Sequence, residues 1–302
     1  MSKKFQGYLY LSLAMMLVGS TVVASKIIAS GLPPFTATAL RFAIAVPPFL
    51  FLLRLSATSW PRLTRGDWVI LLLQAGAGSV GYTTLLISGL KLTPAADAGV
   101  IIGTLPVVSA TIAIVVLGER PQRSILVAIA LAAAGVLAIV LRPDADGQHS
   151  LAGSALILGA VICEGLFILL SKRLKRELPP LALSCLMACL GGAIAAPIAL
   201  AELPWTGSLA LPAIAAVVYY ALVPTVGGFV LWYAGLAKVS GSEASVFTAL
   251  APVSTMLLAF AVLGEPVALN QMLGIGSVLA AVACLGAASM TARGSRRPSK
   301  AL

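Results

Sequence analysis

Long runs of hydrophobic residues, separated by short polar stretches, fill this chain of 302 residues. A helix that crosses a lipid bilayer needs about 20 mostly apolar residues, because the hydrocarbon layer is about 30 Å thick and each helical residue rises about 1.5 Å. By that measure the pattern predicts ten membrane-spanning helices, numbered 1 to 10. They cover approximately residues 7–29, 35–54, 67–90, 95–117, 122–141, 151–171, 180–201, 211–236, 242–263 and 269–291.

The composition favours the same fold class. Only 10% of the residues are charged and 60% are hydrophobic, whereas about 25% of the residues in an average soluble protein are charged. So few charges could not cover the surface of a soluble protein of this length, and we therefore expect an all-α polytopic membrane protein. The first apolar run exceeds the core of a signal peptide, which is about 7–15 residues, so we expect it to remain as helix 1.

The distribution of Lys and Arg predicts the orientation in the membrane. Sixteen of the 20 lie in polar stretches on the side of the N-terminus, whereas only Lys91 and Arg142 lie in stretches on the other side. Cytoplasmic loops carry an excess of basic residues, so we predict an integral plasma (inner) membrane protein with both termini in the cytoplasm. The net charge of +10 is therefore a topology signal, and no nucleic-acid partner is expected.

Self-comparison reveals an internal repeat. A shift of 146 residues places Ser25-Lys26 on Ser171-Lys172, Pro106-Val107 on Pro252-Val253 and Gly118-Glu119 on Gly264-Glu265, and 13 of the 39 positions from 81 to 119 are identical. We predict a five-helix repeat over residues 1–148, a second over 149–292, and a disordered basic tail over 293–302. Five is an odd number, so the second repeat would be inverted in the membrane, as in many secondary transporters.

These features resemble a known family. Two five-helix halves, Gly19-Ser20 followed by Ser25-Lys26 on helix 1, and a Pro thirteen residues before a Gly-Glu glutamate in each half are similar to the EamA-type branch of the drug/metabolite transporter superfamily. The resemblance extends from residue 5 to about residue 290. It implies ten helices, a central cavity lined by helices 1, 3, 4, 6, 8 and 9, and export of small metabolites. Bacterial members of this kind include amino-acid exporters.

The expected function is that of a secondary transporter. It would export small metabolites, with amino acids (aromatic or other neutral ones) as the leading candidates, by alternating access through a central cavity. A multidrug or organic-cation proton antiporter and a channel or scramblase on the same scaffold are the alternatives. The expected partners are a small-molecule substrate and the lipid bilayer, with protons as a candidate coupling ion, and the oligomeric state stays open.

Enzyme activity is not expected. No predicted span contains a His, so neither a nucleophile–base pair nor a metal centre can be assembled at membrane depth. The four Cys residues lack C-x-x-C spacing, and no Walker sequence occurs. We therefore predict no cofactor and no metal.

Glu164 is the most conspicuous candidate for chemistry. It lies near the middle of helix 6, where a carboxylate costs about 2.5–3.5 kcal/mol on insertion scales and usually faces the protein interior. The four-helix multidrug branch of the superfamily carries a proton-coupling Glu eight residues before a Lys, and Glu164 and Lys172 have this spacing. The equivalent residue of helix 1, Val18, is not acidic. Glu164 would couple export to protons or contact an ammonium group; the alternative is a Glu hydrogen-bonded to a neighbouring helix.

Other candidates fall into three groups. The substrate path would be formed, with Glu164, by Ser20, Thr21, Tyr82, Thr83, Thr104 and Trp232. Pro106 and Pro252 would act as matched hinges, or would be static bends. Helix-end or gate residues would be Lys26, Arg41, Glu119 and Glu265. Lys26 and Arg41 could alternatively extend their charges to the lipid headgroups or bind a carboxylate.

Overall fold

The computed structural model describes residues 3–56, 63–117, 123–140, 150–171, 173–174, 178–202, 210–239, 247–248 and 250–294. All regular secondary structure in these ranges is helical. The helices are α1 (Lys3–Ala29), α2 (Pro34–Leu55), α3 (Arg65–Leu90), α4a (Ala95–Gly103), α4b (Leu105–Leu117), α5 (Arg123–Val140), α6 (Leu151–Ser171), α7 (Pro180–Ala201), α8 (Leu211–Leu236), α9 (Leu250–Leu263) and α10 (Leu269–Gly294).

Six of these helices, α1, α2, α3, α6, α7 and α8, are long and apolar enough to cross a bilayer, and α4a with α4b would make a seventh span. The apolar stretches described in α5, α9 and α10 are shorter, at 10–17 residues. The chain is therefore an all-helical polytopic membrane protein. The count of ten spans stays a prediction.

Contacts between helix ends define two sides of the bundle. On the side where the chain begins, Gly7 lies against Val239, and the ring of Tyr8 stacks on Phe247. On the opposite side, Gly31 lies against Ala210, just before α8. We call these the proximal and the distal side.

Six helices, α1, α3, α4, α6, α8 and α9, pack on one another in the bundle. Helix α1 packs on α8 and α9, α3 packs on α6, and the two parts of α4 pack on α6 and α9, whereas α2 pairs with α7 and α5 pairs with α10. The largest buried cluster joins α1, α3, α4a, α6 and α8, and includes Ile28, Leu86, Ile101, Ile157 and Val217. Small residues bring neighbouring helices close, because helix association in a bilayer depends on van der Waals contact.

Two helices contain a π-helical turn at equivalent places. The turns cover Ala75–Gly81 in α3 and Ala221–Gly227 in α8, and they are 146 residues apart. At their ends Tyr82 N–H donates to the carbonyl of Ala77, and Gly228 N–H donates to that of Val223. π-Turns of this kind often occur at functional sites.

Helix α4 is broken in its middle. Parts α4a and α4b meet at Thr104 with a bend of 43°. Pro106 explains the break, since it has no N–H to donate to the carbonyl of Ile102 and its ring would clash with that turn. The hydroxyl of Thr104 donates to the carbonyl of Ile101 at 2.6 Å, which uses one of the acceptors left at the end of α4a.

The close contact between α3 and α6 yields a stability prediction. A Cβ atom at Gly89 would lie 2.6 Å from Cγ1 of Ile157 and 2.9 Å from the carbonyl oxygen of Gly153. Gly89→Ala should therefore force the helices apart, cost about 1–3 kcal/mol and lower the melting temperature in detergent. In the same helix, Gly76→Ala is the matched control because its Cβ would meet no heavy atom within 4 Å. Equal melting temperatures for the two variants would contradict this packing.

Candidate functional site

A central cavity of about 570 Å³ lies among α1, α2, α3, α4, α6, α7 and α8. Many of its lining side chains are aromatic, namely Phe42, Phe49, Tyr82, Phe167, Tyr220, Phe229, Trp232 and Tyr233. The family resemblance implied a lining without helices 2 and 7, but both contribute here. Helix α9 supplies no lining residue to this cavity in the described part of the chain.

Two charged side chains of opposite sign line the cavity, Arg41 of α2 and Glu164 of α6. Glu164 is half-buried, and it forms neither a hydrogen bond nor an ion pair with any residue that the structure describes. It is still close enough to Arg41 for the two charges to attract each other. The cavity therefore offers an ammonium-binding and a carboxylate-binding group to the same ligand.

Aromatic rings and a hydroxyl group hold Arg41 inside the bundle. Its guanidinium group lies 4.2 Å from the ring centroid of Tyr220 and 4.7 Å from that of Phe42, and such cation–π contacts gain strength away from water. Nη1 donates to the hydroxyl of Thr83 at 2.9 Å, while Nε has no partner among the described residues. Arg41 thus points to the cavity, away from the lipid headgroups.

The cavity wall uses equivalent positions of the two halves of the sequence. Six pairs of lining residues are 146 residues apart: Val18 and Glu164, Thr21 and Phe167, Arg41 and Met187, Phe42 and Ala188, Gly78 and Pro224, and Ser79 and Thr225. Each charged residue is therefore matched by an apolar one. The framework of the cavity is thus repeated, whereas its charges are not.

The other predicted path residues have different surroundings. Thr21, Tyr82 and Trp232 line the cavity. The hydroxyl of Thr83 accepts a hydrogen bond from Arg41 and donates one to the carbonyl of Ser79. Ser20 accepts a hydrogen bond from Tyr219 at 2.9 Å and faces a separate crevice among α1, α8 and α9.

Apart from Arg41, which the sequence analysis selected as a helix-end or gate residue, the cavity residues of α2 and α7, such as Phe49 and Met187, were not predicted. The repeat could have indicated Met187, because it is the equivalent of Arg41. Elsewhere in the described ranges, no group of three His, Cys, Asp or Glu side chains could hold a metal ion.

Charged side chains join the helix ends on the distal side. Lys26 donates from Nζ to the carbonyls of Leu90 and Thr93, at 2.7 and 2.8 Å, and so ties α1 to the end of α3. The carboxylate of Glu265 accepts the backbone N–H groups of Ala95 and Ala96, both at 2.9 Å. It therefore satisfies donors at the start of α4a that have no partner within the helix.

Two further contacts close this side. Gln271 donates from Nε2 to Asp97 at 2.7 Å and ties α10 to α4a. Glu202, which follows α7, accepts the backbone N–H groups of Phe35 and Thr36 at 3.1 and 2.7 Å. Neither contact was predicted. Glu119, the other predicted helix-end residue, lies outside the described residues.

The cavity extends from the middle of the bundle towards the proximal side. Its lining includes Ser171, the last residue of α6, and Ser184, which lies in the first turns of α7. Both helix ends lie away from the distal contacts. The bundle is thus closed on the distal side of Arg41, with its cavity directed to the side on which the chain begins.

A bundle of apolar helices around a ligand-sized cavity with few charges is typical of membrane transport proteins. The comparison of sequences indicates the same class of protein. The chain belongs to the EamA-like transporter family, whose sequence model matches residues 5–141 and again residues 151–287. Members of this family are membrane transporters of small molecules.

Three relatives are similar over most of the chain. The uncharacterized transporter YetK of Bacillus subtilis (strain 168) is 34% identical over 93% of this chain and 86% of its own length. A probable terminal-alkyne amino-acid exporter of Streptantibioticus cattleyicolor is 29% identical over 70% of this chain and 72% of its own. A probable amino-acid metabolite efflux pump of Salmonella typhimurium is 27% identical over 93% and 94%.

The contact at Glu265 yields a graded prediction. Glu265→Ala leaves two N–H groups of buried residues without their acceptor and should cost about 1–3 kcal/mol. Glu265→Gln keeps one acceptor oxygen, so the melting temperatures in detergent should fall in the order wild type, Gln, Ala. Lys91→Ala is the control, since Lys91 is exposed on the same side. A melting temperature of Glu265→Ala equal to that of the wild type would contradict this role.

Proposed function

We propose that this protein is a secondary transporter that exports neutral amino acids by alternating access through the central cavity. The observation that carries the proposal is the pair Arg41 and Glu164, which face one aromatic cavity without forming an ion pair. A zwitterion fits this arrangement, with its carboxylate at Arg41 and its ammonium group at Glu164. The names of two relatives, a probable terminal-alkyne amino-acid exporter and a probable amino-acid metabolite efflux pump, support the same substrate class.

The proposal includes ten spans in two inverted five-helix repeats, residues 1–148 and 149–292, followed by the basic tail. The two family matches support the duplication, since they are offset by the same 146 residues as the internal identities. The paired π-turns and the paired cavity positions support it as well. In this proposal both termini are cytoplasmic, so the cavity faces the cytoplasm and the distal contacts close the outer side. Pro106 and Pro252 are its candidate hinges.

An organic-cation proton antiporter is the second candidate function, because Glu164 and the aromatic wall would also suit a cation. Arg41 argues against it, since a guanidinium group in the same cavity repels a ligand that carries only positive charge. In both candidates, Glu164 is the group that would exchange a proton.

Counterflow in proteoliposomes tests the proposed function. Vesicles preloaded with an unlabelled solute should accumulate the labelled form of the same solute, saturably, when that solute is a neutral amino acid. The panel should include nucleosides and organic cations. Counterflow of organic cations alone would support the antiporter, and a flux that does not saturate would indicate a channel.

The two charged residues should have separable effects on ligand choice. Glu164→Gln should lower counterflow of phenylalanine about 10- to 100-fold, the range that corresponds to loss of a charge-assisted contact. Arg41→Gln should also remove the preference for phenylalanine over phenethylamine, which lacks the carboxylate. The control Lys91→Gln deletes an exposed charge and should retain wild-type selectivity. A preserved preference in Arg41→Gln would contradict carboxylate binding by Arg41.

A further inference from the structure

A second cavity of about 380 Å³ adjoins the central one, and we call it the side chamber. Four residues, Val18, Ile102, Leu105 and Trp232, line both cavities. The side chamber continues from this shared wall to α9 and α10, two helices that the central cavity does not reach. The two spaces are therefore neighbouring compartments of one site.

The lining of the side chamber is almost entirely hydrocarbon. Beyond the shared residues it consists mainly of Met15, Pro106, Ala251, Pro252, Val278 and Val282. Ser109 and Thr248 supply the hydroxyl groups, and that of Ser109 is fully buried. The volume falls within the range of about 300–1,000 Å³ that is usual for small-molecule sites. A chamber of this kind accepts an apolar group and rejects a charged one.

The wall that the side chamber shares with the central cavity carries no charge. It consists of Val18, Ile102, Leu105 and Trp232, and Val18 is the residue 146 positions before Glu164. A ligand whose ammonium and carboxylate groups bind at Glu164 and Arg41 would therefore lie against an apolar wall, with the side chamber next to it. Arg41 and Glu164 would fix its charged groups, and the side chamber would receive the rest of the molecule.

We infer that the side chamber binds the apolar side chain of the transported amino acid. This inference rests on the proposed function and narrows its substrate class to amino acids with large aliphatic or aromatic side chains. Small or charged side chains would leave the chamber empty or be excluded from it. Burial of a Leu- or Phe-sized group corresponds to a preference of about 10- to 100-fold over alanine.

Variants that fill the chamber test the inference. Ala251→Leu on α9 and Val282→Phe on α10 both add hydrocarbon at the end remote from Arg41 and Glu164. In counterflow assays each should raise the KM for leucine and phenylalanine at least about 10-fold, with alanine counterflow retained. The matched control Ala215→Leu lies on α8 in the separate crevice among α1, α8 and α9, and it should keep the wild-type preference.

An enlarging variant keeps the test independent of overpacking. Leu105→Ala removes hydrocarbon from the wall that the two compartments share and should improve tryptophan counterflow relative to leucine. Melting temperatures in detergent identify any variant that fails to fold. The remaining variants then decide whether the side chamber binds the side chain of the amino acid.

The possible results separate the inference from the proposed function. If wild-type vesicles exchange no amino acid, the proposed function is wrong and this inference with it. If they exchange phenylalanine but the filling variants change phenylalanine and alanine counterflow equally, only the side chamber assignment is wrong. A phospholipid that co-purifies with the wild type and is lost from Ala251→Leu, without any change of selectivity, would assign the chamber to a lipid chain instead.

Discussion

Within a bilayer the backbone finds no water, so every interruption of a helix must be satisfied inside the protein. This constraint explains where the polar side chains of the described chain lie. Glu265 serves the first N–H groups of α4a, Glu202 serves those of α2, and Lys26 serves carbonyls at the end of α3. The same contacts join helices that are far apart in sequence. Closure of the distal side is thus a by-product of satisfying helix ends.

The two charged side chains of the central cavity, Arg41 and Glu164, do not satisfy helix ends. Arg41 keeps one hydrogen bond and two aromatic neighbours, and Glu164 has no hydrogen-bonded partner among the described residues. Groups that contribute nothing to helix ends and still occupy the bundle interior are expected to serve a ligand. The aromatic and aliphatic side chains of the wall strengthen the interaction of these charges with a ligand, because they lower the local dielectric constant.

The sequence predicted the helical segments well, because twenty-residue apolar runs leave few alternatives. It also drew attention to Glu164, since a carboxylate at that depth requires an interior position. It could not assign Phe49 to the cavity, because helices that are apolar all round carry no periodic signal of which face is buried. Nor could it decide the direction of Lys26, whose flexible side chain reaches either the headgroups or the carbonyls of α3. Only the packing of α1 on α3 resolves that choice.

The paired π-turns carry information about the history of the chain. A π-turn amounts to an α-helix that has gained one residue, and each half of the sequence has its turn at the same place, Ala75–Gly81 and Ala221–Gly227. Two separate insertions at matching sites are a less economical explanation than one insertion inherited by both halves. If the halves arose by the proposed duplication, the extra residue is then older than the duplication. The two π-turns differ in sequence, since the first contains Gly76 and Gly78 and the second contains Pro224. The π-turn is thus common to both halves although the side chains in it differ.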